Sequence, residues 1–116
     1  MRQHENAEQR ETMSLRSIGR IEQNFSNGMP LWEIAVQPEY RDALEGLEGF
    51  SHIQVLWWAH QLDGEEERSI TLLPKPYKNG PEMIGVFATR SPLRPNPLAL
   101  SACPVHSVDG PNGIVR

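Results

Sequence analysis

Two arginines and an asparagine held among three prolines, in Arg90-Ser91-Pro92-Leu93-Arg94-Pro95-Asn96-Pro97, are the residues of this chain best equipped for binding chemistry. Proline locks φ and removes flexibility, so the guanidiniums and the carboxamide become donors in fixed positions. A rigid loop of this kind between two apolar segments suits recognition of a carboxylate or a phosphate, which a guanidinium meets with paired N–H groups. A surface turn with merely solvated arginines has the same composition, because loop arginines are mostly exposed. His60-Gln61 forms the second candidate, placed where an apolar strand pattern ends, and strand-end loops are where binding residues concentrate. His52 stands at the start of that same pattern, where it is either a base or a histidine satisfied by one hydrogen bond.

Other chemistries find little support. The histidines at positions 4, 52, 60 and 106 are scattered, with no His-Glu-x-x-His motif, cysteine pair or carboxylate cluster, so no metal site is expected. No Gly-x-Gly-x-x-Gly or P-loop pattern occurs, which argues against the common nucleotide-binding folds. Ser91, His60 and Asp109 lack the nucleophile elbow that a hydrolase triad needs. Cys103 is the single cysteine; it excludes an internal disulfide and reads as a small core residue. Trp57 and Trp58 point to opposite faces of a strand, and an exposed one is able to stack on a nucleobase.

The elements that must position these residues read as β-rich. Ten prolines and nine glycines in 116 residues interrupt helices and favour turns, while 38% hydrophobic residues allow one modest core. A net charge of −4 gives no support to a broad nucleic-acid-binding surface but leaves room for a local basic groove. No apolar stretch is long enough to span a bilayer, and the polar start from Met1 to Thr12 is no signal peptide. The expected setting is therefore soluble, reducing and cytoplasmic.

Along the chain, residues 1–14 are too polar to offset their ordering entropy and are expected to be disordered, with one domain over residues 15–116. Strands are expected around Ile18 to Ile21, Leu31 to Val36, Ser51 to Ala59 (buried on both faces in its second half), Ile70 to Leu73, Met83 to Ala88 and Leu98 to Val108. Asn24 to Pro30 reads as a loop, Pro38 to Leu44 as a short helix, Asp63 to Arg68 as a charged solvated loop and Asp109 to Gly113 as a hairpin turn.

The stretch from Ile84 through Val86-Phe87-Ala88-Thr89-Arg90-Ser91-Pro92 to Pro97 closely resembles the signature of the TrmO family, also called TsaA-like or YaeB-like. Pro38-Glu39-Tyr40, the run Gly46-Leu47-Glu48-Gly49-Phe50-Ser51-His52-Ile53, the strand end Trp58-Ala59-His60-Gln61 and the opening Ile18-Gly19-Arg20-Ile21 resemble it too. Fold and function follow as expectations. The resemblance implies a small single β-barrel, mainly β, in place of a Rossmann-type methyltransferase domain. It implies S-adenosylmethionine (SAM) as cofactor, tRNA as partner and a homodimer. The reaction it implies is N6-methylation of the threonylcarbamoyl-adenosine next to the anticodon.

Residue by residue, the resemblance maps cofactor contacts onto His60, Gln61 and Arg90, and leaves the general base unassigned. Charge and loop position add Arg94 as a substrate contact, toward the threonyl carboxylate or an RNA phosphate. The chain departs from the family in two places. The family's Pro-Arg-Gln element is missing from the Asn24–Pro30 loop. The family's strands past Val115, which complete the barrel and the SAM pocket, are not within these residues, so the expectation is either a piece of a longer chain or an incomplete barrel with open edges. SAM-dependent methylation of a small molecule, or a non-catalytic SAM- or tRNA-binding module, are the alternative readings.

Overall fold

A computed structural model describes residues 11–74 and 78–116. These form eight strands, several short 3-10 segments and one short α-helix, gathered into two compact units. One unit comprises the chain up to Gly49 together with His106–Arg116; the other is Phe50–Val105. Of the expected disordered segment, residues 1–10 lie outside the described residues, and Glu11–Ser14 are exposed and without regular structure.

The first unit is one antiparallel sheet in the order β1 (Gly19–Ser26), β2 (Met29–Val36), β8 (Ile114–Val115), β7 (Val108–Asp109). The expected Asn24–Pro30 loop is instead the tip of a hairpin. Asn27 and Gly28 both take positive φ, 52° and 78°, and this two-residue turn carries the strands from Ser26↔Met29 back to Gly19↔Val36. A turn with two left-handed residues matches the twist of antiparallel strands, which is why Asn-Gly closes hairpins so well.

On β2, Val36 and Glu33 are buried. The Glu33 carboxylate is satisfied there by the Asn24 side-chain amide at 2.9 Å and by Arg116 Nε at 2.8 Å. The expected short helix at Pro38–Leu44 is a 3-10 run that buries Leu44. Its bonds from Tyr40 N to Gln37 O and from Glu45 N to Asp42 O span three residues, the pitch used by short, tightly wound segments.

The second unit is built on the seven-residue antiparallel pair of β3 (His52–Trp58) and β6 (Leu98–Pro104). A smaller pair, β4 (Leu72–Pro74) with β5 (Met83–Gly85), is joined to the segment that follows it by the Val86 N–H donating to Thr71 O at 2.9 Å. The apolar run expected over Met83 to Ala88 is a strand only to Gly85; Val86–Ala88 winds into a 3-10 turn.

Two expectations need correction. β3 is not buried on both faces: Ile53, Val55 and Trp57 are half-buried, while His52, Gln54, Leu56 and Trp58 are exposed. Nor do the strands close into a barrel, although the chain is mainly β. They fall into three separate sheets, and β3 and β6 each have one paired neighbour among the described residues, whereas closure requires every strand to be paired on both sides.

Candidate functional site

The register of β3 against β6 decides what stands next to the Arg90–Pro97 loop. Trp58 pairs with Leu98, and one residue further on Ala59 N–H donates to Pro97 O at 2.8 Å. The His60–Leu62 3-10 turn therefore leaves β3 at the point where the proline-rich loop enters β6. Ala59 and Pro97 are buried at this junction, whereas His60, Gln61 and Arg90 are exposed. Two stretches separated by some thirty residues of sequence are thus brought together by one ladder.

The loop is ordered from within by a staircase of hydroxyl contacts. Thr89 Oγ1 donates to Val86 O at 2.8 Å and accepts from Ser91 N at 3.2 Å; Ser91 Oγ then accepts from Leu93 N at 3.1 Å. Short hydroxyl-to-backbone bonds of this kind fix turns that proline prevents from pairing as strands. Arg94 adds a clamp: its Nη1 donates to Val86 O at 3.2 Å and Thr89 O at 2.9 Å, and its guanidinium lies 5.7 Å from the Phe87 ring centre.

Arg90 and Arg94 consequently differ in what is left for a ligand. Arg94 is half-buried and one of its terminal nitrogens is occupied by the loop itself. Arg90 has no hydrogen-bond partner among the described residues. Both border a cleft of about 400 Å³ whose wall includes Trp57, Thr89, Pro92 and Leu98. Trp57 is held in that wall by its Nε1–H donating to Ser101 Oγ at 3.0 Å. His60 and Gln61 do not line the cleft; they follow Ala59, whose N–H is bonded to Pro97 O.

Of the other sequence candidates, His52 opens β3 at the end away from His60, with Nδ1 3.0 Å from Ser51 Oγ. Cys103 is half-buried on β6. Trp58 is the exposed tryptophan of the pair, but its indole N–H donates to Asp63 Oδ2 at 2.8 Å. Among the described residues no three His, Cys, Asp or Glu side chains converge as metal ligands, and no helix is long and apolar enough to cross a membrane. Arg68, which the charge pattern assigned to a solvated loop, reaches the proline-rich loop directly. Its sequence signal was one cation following three glutamates, which does not distinguish it from a solvated arginine.

The family model for the tRNA-methyltransferase O N-terminal domain matches residues 22–116. The chain belongs to this family. Among its relatives, a probable S-adenosyl-L-methionine-binding protein of Methanothermobacter thermautotrophicus is 46% identical over 68 residues, covering 59% of this chain and 45% of the relative. Another protein of that description, from Methanocaldococcus jannaschii, is 38% identical over 95 residues, covering 81% and 71%. A solved structure, described as the crystal structure of TrmO, superposes with a TM-score of 0.65 at 25% identity over 90% of this chain and 49% of that one. The chain thus spans about half the length of the first of these relatives and of the solved structure. The match supports the mainly β architecture.

Proposed function

We propose that the chain carries the SAM-binding part of a tRNA methyltransferase, acting on N6 of threonylcarbamoyl-adenosine beside the anticodon. The observation that carries this reading is the junction at Ala59 and Pro97, which ties the start of the exposed His60-Gln61 turn to the end of the loop bearing Arg90, itself exposed and without a hydrogen-bond partner among the described residues, in a member of the family. Relatives named as SAM-binding proteins point to the same ligand.

The donor set fits such a ligand. Arg90 offers a guanidinium to a carboxylate without first breaking an internal bond. Trp57 and Leu98 supply apolar wall for a flat group of the ligand, and Gln61, outside the cleft, offers a carboxamide donor and acceptor to a part of the ligand that extends beyond it. SAM brings a methyl group already activated on a sulfonium, so the protein's task is to hold donor and acceptor in line at near-attack distance. The three prolines and the Thr89–Ser91 staircase serve that task, because a preorganised loop loses little entropy on binding. Arg94, with Nη1 turned to the backbone, still borders the cleft and is proposed to meet the threonyl carboxylate or an RNA phosphate with its remaining N–H groups. The proton of N6 leaves during or after transfer, and no side chain is assigned to take it. A cytoplasmic homodimer belongs to the same proposal.

Methyl-labelled SAM incubated with the chain and bulk tRNA lacking the modification tests this reading. Label recovered in the threonylcarbamoyl-adenosine nucleoside is the expected result. SAM binding without label in RNA would reduce the chain to a binding module, and label in a small molecule instead would replace the tRNA substrate.

A further inference from the structure

We propose that Arg68 is the positioning residue that holds the Arg90–Pro97 loop in its ligand-binding conformation; the consequence for SAM rests on the function proposed above. α1 is a single turn, Glu65–Arg68, closed by Arg68 N–H to Gly64 O at 2.9 Å and by Ser69 Oγ to Glu66 O at 2.7 Å. Three glutamates precede Arg68, yet among the described residues its guanidinium meets none of their carboxylates. It turns to the loop instead. Nε donates to Pro95 O at 2.5 Å and Nη2 to Asn96 Oδ1 at 3.0 Å, so one planar fork grips two consecutive residues.

The fork is steered by its surroundings. The guanidinium lies 5.5 Å from the centre of the Trp58 ring, and Trp58 is pinned by its bond to Asp63 Oδ2. Asp63, Trp58 and Arg68 thus form a relay from the segment after His60-Gln61 to the loop bearing Arg90. Pro95 and Asn96 have few other means of being held. The Pro95 nitrogen carries no hydrogen, and Asn96 otherwise contributes its own carbonyl to Leu98 N–H at 2.7 Å. Arg94 fastens the start of the loop to Val86 and Thr89, and Arg68 fastens its end. With both ends tied, Arg90 projects from a fixed frame. Arginine is suited to this role because its rigid fork reaches two acceptors and its flat face stacks on an indole, neither of which lysine reproduces.

The test compares wild type with Arg68→Ala, Arg68→Lys, Asn96→Ala and the Arg68→Ala/Asn96→Ala pair. Amide hydrogen exchange at Leu93 and Leu98 is followed without ligand, and SAM affinity is measured by calorimetry. Arg68→Ala should speed loop exchange and weaken SAM about tenfold, the loss expected for one charge-assisted grip. The β4–β5 amides should keep wild-type protection. Lysine should restore part of both effects, and Asn96→Ala should add nothing to Arg68→Ala, because the two act on one contact. Wild-type loop exchange in Arg68→Ala overturns the proposal, and so does loosening spread evenly over all the sheets. Should Arg68→Ala fail to fold, Asn96→Ala carries the test, since it removes one acceptor and leaves α1 untouched. If wild type binds no SAM, the proposed function fails, while the exchange measurement still decides whether Arg68 orders the loop.

Discussion

Two polar connections in this protein are held by similar bonds but leave different groups free. In the Asp109–Gly113 turn between β7 and β8, Asn112 donates its backbone N–H to Asp109 Oδ1 at 3.3 Å and its side-chain amide to Oδ2 at 2.9 Å, while Arg41 Nη1 donates to Pro111 O at 3.3 Å from another element. Gly113 supplies the left-handed residue, with φ of 69°. The Arg90–Pro97 loop recruits Arg68 from another element, ties Arg94 back to the preceding 3-10 turn and leaves Arg90 outside the network. Each connection thus recruits a remote arginine, and the difference lies in what is left over: the Arg90–Pro97 loop keeps an exposed cation that has no hydrogen-bond partner among the described residues.

Removing the exposed cation should have the largest effect. Arg90→Ala is expected to weaken SAM by about 10- to 100-fold, the size of a lost hydrogen bond to a charged group, with unchanged urea stability. Calorimetry checks the first and denaturation the second; a stability loss without an affinity loss would put Arg90 in the scaffold. Gly113→Ala breaks the other connection without touching the site. A Cβ there would stand 2.7 Å from Val36 O at positive φ, so a loss of about 2 kcal/mol in urea unfolding is expected, with SAM affinity preserved if the chain stays folded.

Arg94→Ala sharpens the contrast between the loop's two arginines. It leaves the Thr89 carbonyl without its donor, while Val86 O keeps the Thr89 hydroxyl and N–H, and should cost about 1 kcal/mol of stability. It should also lower affinity for modified tRNA, and unchanged tRNA affinity would confine Arg94 to holding the loop.

The smallest effect concerns pH. Asp109 titrates below the ordinary carboxylate value because the Asn112 side-chain amide, and next its backbone N–H, stabilise the ionised form, with help from the Arg116 and Arg41 charges. A depressed folded pKa contributes stability that is present above the unfolded value of about 3.9 and lost as pH falls through the lower folded value. Wild type should therefore lose slightly more stability than Asp109→Asn on acidification from pH 5 to pH 2, read by urea melts at both values.

Much of this was legible in the sequence, for physical reasons that differ by region. Arg90, Arg94 and the prolines announce a rigid cationic loop because proline acts on its own backbone and needs no partner. The Asp109–Gly113 turn was legible for the same reason. Asn27-Gly28 carried an equally local signal, but the polar residues around it made the whole of Asn24–Pro30 look like loop, hiding the paired ends of β1 and β2. The 3-10 winding at Pro38–Leu44 and the exposed outer face of β3 depend on which neighbours are present, and that is a tertiary fact. Arg68 was the least legible. Its acceptors, Pro95 and Asn96, lie 27 and 28 residues away, and only the β3–β6 register makes them neighbours.

Chemical-shift mapping tests the proposed place of SAM on this chain most directly. Backbone and side-chain amides of the isotope-labelled chain would be followed while SAM is added. Saturable shifts should move together at Gln61, Arg90 and Ser91, with the amides of Arg41, Asp42 and Val108, at the cleft in the other unit, unmoved. Shifts confined to that second cleft, or none at SAM concentrations well above the millimolar range, would contradict it.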